Sequence, residues 1–337
     1  MARDQVPLNL EEPGNWDAPE AAARVKSACG KLKTPMCLGV PTERVQLRVI
    51  DLPSADEEEV EEMVELQVDK FSPFPIENLI VSHEILSQTD DEEEEESSRV
   101  LIAAVQRDFV EELGGLFQEA GLPIQRIDVE IMGWLRHFRD HEELLEQGRQ
   151  MVLLCDHEST DLVVLENGLP IVFRSLGGQG DELRQTFVEE VAEEIGYTLT
   201  SLESEWGPEP TYSLKLFHWD AIPADLAARI QEDCDLNVET RALEDLPILS
   251  EGLALRYPDG DESRLDLSPR EWHEAAKSRH LRKQLFTASA VLLLLWLVGM
   301  SVIVIGHERS ITPLVRSCPI TITLMPTNHK SRSTAEA

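Results

Sequence analysis

The chain has 337 residues, 42% of them hydrophobic, and a formal net charge of −34. That is enough apolar material for one large or two medium domains with a real core. The acidity argues against direct nucleic-acid binding, which needs a basic surface to meet phosphates.

The opening, MARDQVPLNLEEPGNW, has no apolar h-region and is not a signal peptide. APEAAARVKSACGKL (18–32) is helix-like. MCLGVP (36–41) and RVQLRVIDL (44–52) read as two strands joined by a turn. In the second, Val45, Leu47 and Val49 alternate with Gln46 and Arg48, the period of a half-buried strand. Ala55 to Phe71 is helical, with Val60, Met63, Val64, Leu66 and Val68 as an apolar stripe among acids and Ser54 or Asp56 as its cap. FSPFPIENL (71–79) is a Pro-rich corner. LIVSHEIL (79–86) and RVLIAAVQ (99–106) are strands around an acidic loop, 90–98. Consecutive acids repel in any compact state, so this loop is solvated. It lacks the glycine turn and ligand spacing of an EF-hand.

RDFVEELGGLFQEAG (107–121) is a helix ended by Gly121. LPIQRIDVE (122–130) is a strand and IMGWLRHF (131–138) opens another helix. MVLLCDH (151–157), TDLVVLENG (160–168) and LPIVFRSL (169–176) form a three-strand meander, with Asn167-Gly168 as a strong hairpin signal. Leu183, Phe187, Val188, Val191, Ile195, Leu199, Leu202 and Trp206 make one stripe of a long helix. TYSLKLFHW (211–219) is a strand, IPADLAARIQED (222–233) a helix, LNVETR (236–241) a short strand and LPILSEGLALRY (246–257) a helix. Alternating strands and helices place the chain in the α/β class.

The charge distribution then breaks. Residues 1–266 hold 60 acidic and 21 basic side chains, net −39, whereas 267–337 hold 4 and 9, net +5. EWHEAAKSRHLRKQLF (271–286) reads as a basic helix continuing into LFTASAVLLLLWLVGMSVIVIG (285–306), which contains no charged residue. That run would make a helix of roughly 33 Å, matching a hydrocarbon core of about 30 Å, and core helices rarely carry so long an apolar run. Arg270, Lys277, Arg279, Arg282 and Lys283 crowd its N-terminal flank. Positive charge stays in the cytoplasm, so residues 1–284 are expected there, with 307–337 as a short, disordered extracytoplasmic tail.

Candidate chemistry centres on Asp156-His157-Glu158-Ser159-Thr160-Asp161. Ser159 and His157 are neighbours, but no GxSxG elbow surrounds them. Asp156 and Glu158 could form an acid–base pair, yet adjacent turn carboxylates are ordinarily just solvated. No catalytic residue is assigned. Gly177-Gly178-Gln179-Gly180 before a helix is an anion-site pattern. Asp181 beside it would repel an anion, which favours a plain strand-to-helix turn. Cys29, Cys37, Cys155, Cys234 and Cys318 are scattered, with no CxxC pair, so neither zinc nor a disulfide framework is expected. The first four fit small core residues in a reducing compartment. No HExxH motif or other metal-ligand cluster occurs, and the histidines read as surface or satisfied core residues.

The order of these motifs resembles the actin-like cytoplasmic proteins of type IV pilus assembly (PilM) and type II secretion (GspL). Four stretches carry the resemblance: VPTERVQLRVIDLP (40–53), the acidic helix into DKFSPFPIENLIVSHEIL (69–86), MVLLCDHESTDLVVLENGLPIVFRSL (151–176) with its Gly-rich turn, and ILSEGLALR (248–256). LDLSPREWHEAAKSRHLRKQLF (265–286) is similar to the Leu-rich, basic lead-in to the membrane helix of PilN and of GspL. The resemblance implies a two-lobed actin-like (ASKHA) fold. Lobe I is expected over 1–145 and lobe II over 146–264, followed by a basic juxtamembrane helix (265–284) and a transmembrane helix (285–306). The family's first strands and the periplasmic domain after the helix are expected to be missing.

Departures from the family pattern bear on nucleotide. The first phosphate loop, Asp-x-Gly, has no counterpart before Met36. The second, Asp-x-Gly-x-x-x-Thr-Asp, falls on Thr160-Asp161, and either alignment places Asp156 or Glu158 at the glycine. Asp156, Ser159, Thr160, Asp161, Gly177 and Gly178 are therefore positions of a degenerate phosphate site. Phosphate loops use glycine so that backbone N–H groups can approach the anion, and two carboxylates would repel it. ATP and magnesium are not expected as cofactors. The resemblance implies a non-enzymatic inner-membrane scaffold, anchored by one helix, whose partners are an assembly ATPase, a bitopic membrane protein and a second copy in a homodimer. The alternatives are an actin-like ATP-binding protein with a shortened N-terminus, or a single-pass regulator of unrelated α/β fold.

Overall fold

The computed structural model describes residues 23, 26, 27, 36–54, 56–89, 97–122, 124–156, 159–177, 184–207, 211–219, 225–257, 264–273, 289 and 292–301. The chain divides into two compact units, Met1–Trp272 and His273–Ala337. The first is a mixed α/β body. Its strands are β1 (Met36–Val40), β2 (Val45–Leu52), β3 (Leu79–Thr89), β4 (Ser97–Gln106), β5 (Ile124–Val129), β6 (Arg149–Cys155), β7 (Thr160–Glu166), β8 (Leu169–Ser175), β9 (Thr211–His218) and β10 (Asn237–Ala242). Its helices are α1 (Glu57–Phe71), α2 (Arg107–Glu119), α3 (Glu130–Asp140), α4 (Arg184–Glu205), α5 (Leu226–Cys234) and α6 (Leu249–Leu255).

The strands form an antiparallel sheet β2-β4-β3, a parallel pair β1-β5 and a five-stranded sheet β10-β9-β6-β7-β8. Capping sets where α1 begins. Asp56 is the N-cap, its carboxylate accepting from the N–H groups of Glu58 and Glu59, which satisfies donors that an uncapped helix leaves orphaned. Ser54 supports it by donating from Oγ to Glu59 at 2.7 Å. Val60, Val64 and Val68 then bury one face of α1 against Leu52, Leu79, Val100, Ile102 and Ala104. On β4 the alternate residues Leu101, Ala103 and Val105 enter a second, larger cluster, so this strand is buried on both faces.

β6 is likewise central. Met151, Leu153 and Cys155 face Phe187, Val188, Val191, Ile195 and Leu202 of α4. Val152 and Leu154 face the larger cluster, which includes Val40, Ile127, Trp134, Phe138 and Phe217 and draws on residues from both sides of position 145. The β7–β8 hairpin turns at Asn167 (φ 52) and Gly168 (φ 76), the paired positive angles of a type I′ turn. Between α3 and α6 there is no room for a side chain at Gly252, where a Cβ would strike the Gly133 carbonyl and His137. His137 is fully buried and hydrogen-bonds through Nε2 to the Ile248 carbonyl at 2.9 Å. Its Nδ1 is buried with no hydrogen-bond partner among the described residues.

The two strands expected at 36–41 and 44–52 and the turn between them form, and the strands lie in different sheets. β1 pairs parallel with β5, and β2 antiparallel with β4. Pro41 and the 3-10 turn Thr42–Arg44 redirect the chain between them. Ser97 and Ser98 are not loop: they pair with Thr89 and Gln88, and 90–96 lie outside the described residues. Residues 265–269 form no regular element, and helix begins only at Arg270. The helix expected at 18–32 is described only at Ala23, Lys26 and Ser27, and the tail 307–337 lies outside the described residues. Within 285–306, residue 289 and residues 292–301 are helical. Leu292 to Trp296 are each more than 60% exposed. No helix among the described residues is long and apolar enough to cross a membrane.

Candidate functional site

β6 and β9 run parallel, with Cys155 beside His218 at their carboxyl ends. Ligands of α/β sheets bind in the crevice beyond such ends. Here two side chains join across it. Asp156 follows β6 and Trp219 follows β9, and the indole Nε1–H donates to Asp156 Oδ1 at 2.7 Å. The Trp219 ring meets Trp134 of α3 edge-on, 6.3 Å between centroids. Phe138 continues the aromatic column, stacked on Trp134 and on Phe217. The Asp156 N–H donates to the Ser159 carbonyl at 2.9 Å, closing the turn between β6 and β7.

Ser159, Thr160 and Asp161 are buried, the last two to 0% and 2% exposure. Ser159 Oγ donates to Asp161 Oδ2 at 3.1 Å. The Thr160 N–H donates to the Gly177 carbonyl at 2.8 Å, and the Leu176 N–H to the Thr160 carbonyl at 2.7 Å. These bonds extend the β7–β8 ladder to Gly177, whose φ of +83 lies where glycine is favoured. The Thr160 amide, which a phosphate loop would aim at an anion, is thus engaged inside the sheet. Gly178, His157 and Glu158 lie outside the described residues. Burial pushes the Asp161 carboxyl above the ordinary carboxylate range, although the hydroxyls of Ser175, Ser159 and Thr42 oppose it. Burial also pushes the Cys155 thiol up to about 12, so it is an inert core residue rather than a nucleophile. No cluster of three or more potential metal ligands occurs among the described residues.

The structure therefore gathers Ser159, Thr160, Asp161 and Gly177 at one end of β7 and ties Asp156 to Trp219. Sequence reasoning missed Trp219. Only its neighbourhood to Asp156 in space reveals its role.

A second constellation joins the segment 264–272 to the body. Glu84 of β3, 2% exposed, accepts from Arg256 Nη2 at 2.5 Å and from Arg264 Nη1 at 2.6 Å. The Leu265 N–H also donates to it, at 3.3 Å. Arg256 Nε reaches the fully buried Asp128 at 2.6 Å. Burial would push the Arg256 guanidinium down, but Asp128 and Glu84 together hold it above its ordinary value. Leu265 and Leu267 are 0% exposed, and the Leu267 N–H donates to the Ile127 carbonyl of β5 at 2.8 Å. Asp266 pairs with Arg126 at 3.3 Å. Its backbone N–H donates to Ser82 Oγ at 2.9 Å. The Trp272 ring abuts α2 at Gly114, where any Cβ would collide with it. Single charges more than a hundred positions apart carry no local signal, so this network was not legible beforehand.

The sequence profile of the family described as Type IV pilus assembly protein PilM matches residues 17–196, more than half of the chain. Among solved structures, a chain of the PilM-PilN type IV pilus biogenesis complex is similar with a TM-score of 0.57 and 20% identity, over 70% of this chain and 84% of that one. A Bacteroides thetaiotaomicron protein with an actin-like ATPase fold and unknown function gives a TM-score of 0.43 and 13% identity, over 70% and 81%. The cytoplasmic domain of EpsL, an inner membrane component of the type II secretion system of Vibrio cholerae, gives 0.41 and 10%, over 74% and 82%. No curated protein sequence matches the chain. The first structural likeness concerns the fold, and the profile match concerns descent. The chain belongs to the family of the type IV pilus assembly protein PilM.

Proposed function

We propose that the protein is a non-enzymatic scaffold with an actin-like body, working in the inner-membrane assembly platform of a type IV pilus or a type II secretion system. It links a cytoplasmic assembly ATPase to a bitopic membrane partner. Residues 1–284 lie in the cytoplasm, 285–306 form a single membrane helix, and 307–337 lie outside. The observation that carries this reading is the docking of 264–272. These residues are not a loose tether. They are fixed by Leu265, Leu267 and Trp272, by the ion pair of Arg264 to Glu84 and by that of Asp266 to Arg126. Burying two leucines contributes about 1.5–3 kcal/mol each. The related complex pairs PilM with PilN. Here a lead-in that resembles the one in PilN continues from the PilM-like body within one chain.

The reading without nucleotide is supported by the Asp156–Trp219 bond, the engaged Thr160 amide and the buried Asp161. Affinity purification of the full chain from membranes should bring along a cytoplasmic ATPase and a bitopic protein; recovery of neither would sink the scaffold reading. Calorimetry with MgATP should show binding no tighter than millimolar, and micromolar affinity would restore the ATP-binding alternative.

A further inference from the structure

Strand β10 ends the five-stranded sheet and has one strand neighbour, β9, among the described residues. Its sequence is Asn237-Val238-Glu239-Thr240-Arg241-Ala242. Asn237, Glu239, Thr240 and Arg241 are exposed, whereas Val238 and Ala242 are half-buried. An unpaired edge of this kind is a template for another strand, and proteins ordinarily blunt it with repelling charge. Here the charges do not repel in every register. Glu239 and Arg241 lie on one face and flank Thr240 symmetrically.

We propose that β10 is a self-association edge, at which two copies of this chain pair antiparallel about a two-fold axis through Thr240. In that register Glu239 faces Arg241 of the second copy and Arg241 faces its Glu239. Val238 faces Ala242 on the other side of the strand. Directly opposed residues of an antiparallel pair have Cβ atoms about 5 Å apart, within ion-pair reach. A two-fold interface must be self-complementary. A shift of the axis to Glu239 or to Arg241 would set like charges against each other, so the charges select one register.

The surrounding side chains leave both partners available. Glu239 has no ion-pair partner among the described residues. Arg241 bonds Glu143 through Nε at 3.0 Å and lies 3.9 Å from the exposed Asp245, yet remains 45% exposed itself. Glu143 is already paired with Lys215 Nζ at 2.5 Å, so Arg241 is not needed to neutralise it.

The test uses the full chain in detergent micelles. Under mild oxidation Thr240→Cys should give a disulfide-linked dimer well above the wild-type background. Val238→Cys and Ala242→Cys should not cross-link alone but should do so when the two proteins are mixed. Glu239→Arg or Arg241→Glu, each creating two like-charge pairs, should weaken self-association roughly tenfold or more, and the double reversal should restore it. Thermal melts would confirm that each variant folds. Cross-linking of Thr240→Cys no better than wild type would overturn the proposal. So would a double reversal as weak as the singles. Either result would mean that the charges protect a lone edge.

Discussion

Asp156 reads in sequence as a solvated turn carboxylate, and on that basis its removal would change stability by no more than about 0.5 kcal/mol. The bond from Trp219 revises this. Asp156→Ala leaves the indole N–H without that acceptor in a partly buried site. The expected loss is about 1–3 kcal/mol, measured by denaturant melts. Asp156→Asn keeps an acceptor oxygen and should recover most of it. A double-mutant cycle with Trp219→Phe should show the two losses to be coupled. Asp161 behaves differently. Its carboxyl is raised by burial, so the folded state favours the protonated form. The stability this contributes is present below the ordinary carboxylate pKa of about 4 and is lost as pH rises through the raised folded value. Asp161→Asn should therefore match the wild type in acid and become the more stable protein toward neutral pH. Parallel pH-dependent melts of the two proteins check the sign, and a wild type that gains on Asp161→Asn as pH rises would contradict it.

At the level of elements, periodicity carried most of the information. The stripe of α4 from Phe187 to Leu202, the alternation of β2 and the Asn167-Gly168 turn all stand where their spacing puts them, because each reports a local relation between backbone and burial. Gly168→Val should cost of order 1–3 kcal/mol, since a β-branched residue would be forced to positive φ. A fall in melting temperature well beyond that of an exposed control substitution checks it. Pairing between elements was less legible. Val40 and Val45 are close in sequence, yet Pro41 sends their strands to different sheets. Leu265-Asp266-Leu267 holds only one period of alternation, too short to distinguish a docked non-helical segment from the start of the basic helix that follows. Of the degenerate phosphate positions, the sequence placed Ser159, Thr160, Asp161 and Gly177 together, but the plugging contact comes from Trp219, more than sixty residues away. Gly114→Val tests the last docking point: it should expel the Trp272 ring from α2. A red-shifted, more quenchable tryptophan emission with the rest of the fold retained is the expected reading.

For the whole molecule, the proposed topology rests on the charge-free run and its basic flank. A reporter fused after Ala337 should be active only outside the cytoplasm, and one before Ala2 only inside; the reverse pattern would show that the flanking charges do not orient the chain. The docked segment has a mechanical consequence. Tension entering the body at residue 273 meets Trp272 on Gly114 first, then the Leu267–Ile127 bond, the Asp266 contacts and finally the grip of Glu84 on Arg264 and Leu265. Because the segment runs alongside β5, these points share the load in shear instead of peeling one by one. None of these contacts lies in the covalent link through 258–263. A protease site placed there and cut should leave two polypeptides that still travel as one particle, with the segment 264–272 held by its non-covalent contacts alone.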